Sequence, residues 1–315
     1  MGLAAVLQAC APVPVRYTVV PPPTAEAIAL TGDTLWSLPL DPAGGPARVK
    51  RLADARLEAE KRPFNADATL RLAASTAAMG RIREAVAILT EATGTHATDP
   101  RLRRFRGEYL LWLRERDRAI AEFQAAGRLS LGKASSPEWI ETATGGRLLT
   151  TTRFQIEYLL GVTLYCKGEL ARARDVLADA IELGISGDDR ARAALWHFFA
   201  TRRLGNREEA AALLQSVPDA WLRSTRRAEV ALLLAFRGEM PTDTIRARAL
   251  GAQGGEAAAL YSYAMGYSLL LVPEREEEAR RWLARARSGP DWTSLPYIAA
   301  EADLARVGRA REVDR

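Results

Sequence analysis

The sequence predicts an all-α fold, an array of stacked helix pairs, and three observations carry that prediction. The first is self-similarity at a spacing of 34 residues: with Ala66 laid on Pro100, Ala73 falls on Gly107, Ala85 on Ala119, Val86 on Ile120, Leu89 on Phe123 and Ala92 on Ala126. The second is the kind of residue matched. Small residues replace small ones and large apolar residues replace large ones, as required where two helix backbones touch and their neighbours fill the seam. The third is punctuation, since Asp99-Pro100 and Gly127 close the first two units. A unit of this length has an apolar face that only the next unit can bury, so the period implies a solenoid and biases function towards binding.

With 315 residues, 48% hydrophobic and 26% charged, the chain can bury a large core and is not disordered as a whole. The net charge of +5 comes mostly from arginines interleaved with acids, as in Arg114-Glu115-Arg116-Asp117-Arg118. That pattern reads as a solvated helix face, with a nucleic-acid footprint as the alternative. No apolar run approaches the ~20 residues of a membrane-spanning helix.

Met1-Gly-Leu-Ala-Ala-Val-Leu-Gln-Ala-Cys10 resembles the tail of a bacterial lipoprotein signal, with Leu7 and Ala9 at the places where a leucine and a small residue belong. Gln8 departs from the pattern and a basic leader is missing, so the reading treats residues 1–10 as a truncated signal with a start upstream. It expects lipidation at Cys10, membrane contact only through that anchor, and a periplasm-facing place in a bacterial cell envelope. A frayed cytoplasmic N-terminus is the alternative. Residues 11–46, with Pro12, Pro14, Pro21-Pro22-Pro23 and Asp41-Pro-Ala-Gly-Gly-Pro46, read as a tether with a short extended piece at Asp33-Thr-Leu-Trp-Ser-Leu.

The repeat domain is expected over residues 47–315, opening with a charged helix from Ala47 to Lys61 before the first repeat at Ala66. Gly161, Leu164, Gly168, Ala173, Leu177 and Ala180 make a third copy. A fourth has Leu204-Gly205-Asn206 at its turn and Ala210 and Leu214 in its second helix. A degenerate fifth spans Arg223 to Gly251, and a sixth is legible in Gly266, Ala279, Leu283 and Ala286, with Val272-Pro273 at the turn. A last helix, Leu295 to Val307, caps the open end. Residues 128–151, with Gly132, Pro137 and Gly145-Gly146, interrupt the array as an insertion loop, either tolerated or functional.

This pattern is similar to that of the tetratricopeptide repeat (TPR) superfamily, from Ala66 to the C-terminus. The resemblance implies a right-handed superhelix of about six helix-turn-helix pairs with a C-terminal capping helix. It also implies a non-enzymatic scaffold that binds a protein or peptide in a concave groove lined by the first helices. On that basis Arg101, Arg104 and Glu108, Tyr158, Val162 and Tyr165, Arg192, Trp196 and Arg203, and Tyr263 and Tyr267 line the groove. Arginine with aromatics is the composition of binding hot spots, although several of these aromatics are alternatively inter-repeat core. The chaperone-tail clamp of some relatives is unmatched, because Leu70 and Ala74 stand where its lysine and asparagine belong. The segment Tyr261-Ser-Tyr-Ala-Met-Gly266 to Ala299-Ala-Glu-Ala-Asp-Leu304 also resembles envelope lipoproteins that scaffold peptidoglycan hydrolases. An accessory role for such an enzyme is therefore one alternative, and polyanion or RNA binding through the arginines is another.

No catalytic residue, metal site or cofactor is expected. His96 and His197 lie in different contexts without a metal-binding or nucleophile-base spacing, and Cys166 falls inside a helical run as a packed thiol. Gly251-Ala-Gln-Gly-Gly255 lacks the strand and lysine of a phosphate loop and reads as a turn. Glu274-Arg-Glu-Glu-Glu278 reads as a helix start, where carboxylates suit the dipole.

Overall fold

The structure, a computed structural model, describes residues 23–39, 44–141, 147–223, 227–251 and 255–313. It is an all-α solenoid of stacked helix pairs. After a lead helix α1 (Gly45–Lys61) come the pairs α2 (Ala66–Ala78) with α3 (Ile82–Thr95), α4 (Pro100–Trp112) with α5 (Arg116–Ser130), and, beyond the insertion, α6 (Thr152–Lys167) with α7 (Leu170–Leu183). They continue as α8 (Gly187–Arg203) with α9 (Arg207–Ser216), a short α10 (Asp219–Arg223), α11 (Ala228–Phe236) with α12 (Thr242–Gly251), α13 (Gly255–Leu270) with α14 (Glu276–Ala286), and a final α15 (Leu295–Val313). First helices pack side by side along one inner face, and second helices form the outer layer.

Local chemistry accounts for where these helices begin. Asn65, Asp99, Thr151 and Ser186 each accept a backbone N–H at the start of α2, α4, α6 and α8, which satisfies a donor that has no partner within the helix. Packing accounts for the register. A Cβ on Gly161 would lie 2.5 Å from Leu177 Cγ, so the two backbones of that pair approach as closely as glycine allows, and Gly107 with Phe123 and Gly266 with Leu283 repeat the relation. Ala119, Ala173 and Ala210 are fully buried on the facing helices.

Two turns break the pattern, the α13–α14 turn with Glu274 at φ 65° and the α4–α5 turn with a residue held from a distance. Gly80, Gly168, Gly205 and Gly238 occupy left-handed backbone at the turns inside their repeats, whereas the α4–α5 turn places Arg114 there at φ 67°. A non-glycine residue in that region is strained and persists only where its surroundings hold it. Arg114 is held by α15: its Nε and Nη2 donate to the two carboxylate oxygens of Glu301 at 2.9 Å each, and Nη2 also donates to the Trp292 carbonyl at 2.9 Å.

Three segments differ from the sequence expectation. Part of the expected tether is an antiparallel hairpin, β1 (Ala25–Ile28) and β2 (Thr34–Trp36), that buries Ala27, Ala29 and Leu35. It joins the two ends of the array. The Glu26 carboxylate accepts from Arg83 N at 2.9 Å, while Leu30 N donates to Glu301 at 2.7 Å and the Trp292 indole donates to the Trp36 carbonyl at 2.7 Å. The expected insertion loop is shorter, since α5 runs to Ser130, and much of the rest is a second hairpin, β3 (Pro137–Glu141) with β4 (Arg147–Thr151). Its base is fixed by Thr152 N on the Ser136 carbonyl at 2.9 Å and Thr150 Oγ1 on Asp189 at 2.9 Å. Finally, α15 is more than a cap. It lies along the inner face, where Arg306 donates to the carbonyls of Tyr165 and Cys166 and Asp303 pairs with Arg203 at 2.7 Å.

Candidate functional site

The inner face is divided, and the eleven residues expected to line it fall in different places. On the side of α15, Tyr165, Trp196, Tyr263 and Tyr267 are buried. The Trp196 ring meets Tyr165 edge-on at 5.4 Å and stacks on Tyr263 at 5.7 Å, and the Tyr267 hydroxyl donates to the Phe199 carbonyl at 3.1 Å. The Tyr165 and Tyr263 hydroxyls are 2.5 Å apart, and Tyr263 donates onward to Asp303 at 3.1 Å. Arg203 lies over the Tyr165 ring at 5.2 Å while pairing with Asp303. Burial pushes the Tyr165 and Tyr263 hydroxyls above their ordinary titration range. These side chains are thus satisfied within the chain: the surface expected to be open on this side is covered by the last helix. Val162 is likewise fully buried as core.

On the side of the β3–β4 hairpin the inner face carries charge. Arg104, 1% exposed, bridges Glu108 at 2.7 Å and Glu138 of β3, and Thr152 Oγ1 steadies Glu138 at 2.7 Å. Burial opposes charge on Arg104, but Glu138 and Glu108 outweigh it and raise its pKa. Glu108 is raised by burial, against the pull of Arg104. Phe154 and Tyr158 stack at 5.5 Å with planes 9° apart, and the Arg192 guanidinium rests 4.4 Å from the Tyr158 ring centre. Burial pushes the Tyr158 hydroxyl up to about 12. Glu229 and Glu256, in the first turns of α11 and α13, act electrostatically on Arg192. Burial and then Glu229 raise Glu256. Arg101 stands apart, paired with Asp67 at 2.6 Å and Asp99 at 2.7 Å on the wall of an open hollow of about 720 Å³ that Thr95, His96 and Ser136 also line.

Repeat reasoning did not find Glu138, Glu229, Glu256, Glu301, Asp303 or Arg306. Glu138 lies in the insertion, Glu229 opens the degenerate fifth repeat, and Glu256 opens the sixth, which is legible only in its small residues and leucine. The three residues of α15 meet partners roughly 100 to 190 positions away. Cys10 lies outside the described residues. Cys166 is buried, its thiol pushed up to about 12 by burial. His197 is held below its ordinary value by burial. Among the described residues, no group of three His, Cys, Asp or Glu is placed to hold a metal ion, and no helix is long and apolar enough to cross a membrane.

No family model matches the chain, and neither does any curated protein. Among solved structures the chain is similar to YrrB, described as a TPR protein with an unusual peptide-binding site, at 16% identity and a TM-score of 0.42, over 80% of this chain and 97% of that one. It is also similar to the TPR domain of P58(IPK), at 13% identity and a TM-score of 0.24, over 87% of this chain and 96% of the other.

Proposed function

We propose that this chain is a non-enzymatic scaffold that holds a protein or peptide partner on its inner face, on the side of the β3–β4 hairpin. The observation that supports this reading is the division of that face: α15 covers one side, while the other presents partly exposed charged side chains from α4, α8, α11 and α13 and the aromatic pair of α6 beside a hairpin. Charged groups gathered on a rigid inner surface suit recognition of another chain. We further propose that the chain reaches a bacterial envelope membrane through a lipid on Cys10, because Leu7-Gln-Ala-Cys10 is followed by a proline-rich stretch.

A photo-crosslinking amino acid placed at position 108 in the native host should yield a partner adduct. The same residue at position 172, on the outer helix α7, should not. Adducts from 172 alone, or from neither position, would remove the inner-face reading. For the anchor, Cys10→Ser should move the protein from the membrane fraction to the soluble one, and an unmodified Cys10 in protein isolated from membranes would overturn the lipid.

A further inference from the structure

The arginines of the inner face suggest an anionic partner until their own contacts are counted. Arg101 is occupied by Asp67 and Asp99, Arg104 by Glu108 and Glu138, and Arg203 by Asp303. Among the described residues that act on one another around the hairpin side of the inner face, Arg104, Arg192 and Arg227 face Glu108, Glu138, Asp189, Glu229, Glu256 and Asp291, a surplus of three carboxylates. This side of the face therefore repels an acidic segment and attracts a basic one.

Arg192 supplies the second observation. Its side chain is only 11% exposed and lies against the Phe154–Tyr158 stack, yet its Nη1 is buried without a hydrogen-bond partner. The closest carboxylate oxygen paired with it, Asp189 Oδ1, is 3.9 Å away, beyond hydrogen-bond reach, and that oxygen already accepts from Thr150. A buried guanidinium N–H with no acceptor is costly and is rare in settled structure. It asks for a neutral acceptor, because another carboxylate would add to the negative surplus.

We propose that the hairpin side of the inner face seats a lysine- or arginine-bearing segment of the partner, whose main-chain carbonyl accepts from Arg192 while its side-chain cation lies among Glu108, Glu229 and Glu256. This rests on the scaffold reading and names the partner's chemistry. First-turn carboxylates also favour the helix dipole, which accounts for Glu229 and Glu256 being acidic. It does not account for Glu256 being held above its usual range by burial and by Glu229, a penalty that an incoming cation relieves.

The test uses the full chain and fluorescein-labelled peptides of alternating Lys-Ala, Glu-Ala and Ser-Ala, titrated by fluorescence anisotropy. The Lys-Ala peptide should bind, and its Kd should weaken by about tenfold or more between roughly 50 and 300 mM NaCl, since the attraction is screened. The double variant Glu229→Gln with Glu256→Gln should weaken it by a further factor of about ten. Acetylating the lysines should abolish binding with the protein untouched, which keeps the test valid should the variant misfold. Failure of the Lys-Ala peptide to bind, equal or tighter binding of the Glu-Ala peptide, or indifference to both acetylation and the double variant would overturn the proposal. A partner adduct from position 108 without this charge preference would sink this inference and leave the scaffold reading standing.

Discussion

In Glu301→Ala the Arg114 guanidinium, with its side chain 3% exposed, would lose both carboxylate oxygens while remaining enclosed by α15 and the α4–α5 turn. Two further consequences follow from the same deletion. Leu30 N loses its acceptor, which loosens the β1–β2 hairpin, and the left-handed backbone at Arg114 loses the contact that holds it. Stripping one partner from a buried ion pair costs about 3–5 kcal/mol, because the other charge stays buried without compensation. Domains of 150–250 residues shift by about 2–4 °C per kcal/mol, with longer chains towards the lower figure, so melting should fall by roughly 6–10 °C. The assay is thermal unfolding followed by far-UV circular dichroism. Arg114→Met combined with Glu301→Leu should recover most of the loss, since replacing both members by apolar groups removes the unpaired charge. A Glu301→Ala protein melting within about 2 °C of the parent would show that α15 is held by apolar packing alone, and would refute this account of the turn.

Gly161→Ala should destabilise by about 1–3 kcal/mol, because its Cβ would sit 2.5 Å from Leu177 Cγ, while Gly251→Ala, with nothing within 4 Å, should melt like the parent; equal melting of the two would remove the repeat register. The Glu256 carboxyl is raised in the fold by burial and by Glu229, so folding favours its protonated form. Its stabilising contribution is full below the unfolded value near 4.5 and is lost as pH rises through the raised folded value. Glu256→Gln stays neutral throughout, so it should melt above the parent near neutral pH and alike near about pH 4; a variant no more stable at neutral pH would contradict the burial argument. The Cys166 thiol, buried and pushed up to about 12, should resist alkylation in native protein at about pH 8 and react only on unfolding, and labelling of folded protein at the unfolded rate would show that the α6–α15 contact opens.

The helix pairs and their seams were legible in the residues because repeat packing is local. Gly161 and Leu177 are brought together by one turn, and their spacing recurs wherever the same pair of helices recurs. Helix starts at Asn65, Asp99 and Ser186 were local for the same reason, each a side chain reaching a backbone N–H two or three residues on. The hairpins were less legible. The extended piece expected from Asp33 to Leu38 contains the strand Thr34–Trp36, but its partner Ala25–Ile28 is too short and too close to proline to show a strand period, and burial of Ala27 and Leu35 depends on helices far along the chain.

The inner face separates the two kinds of information most clearly. The repeat places Tyr158, Tyr165, Arg192 and Tyr263 on first helices, and the resemblance to the TPR superfamily implies that they face the inner side. Neither can say what that side meets. Whether it faces solvent or protein depends on where α15 and the β3–β4 hairpin come to rest. Those positions depend on the Arg114–Glu301 and Arg203–Asp303 pairs, separated by 187 and 100 residues, and on Arg104 reaching Glu138 across the insertion. A contact between distant single positions leaves no period in a sequence, so the covering of one half of the face and the surplus acidity of the other emerge only when the chain is folded.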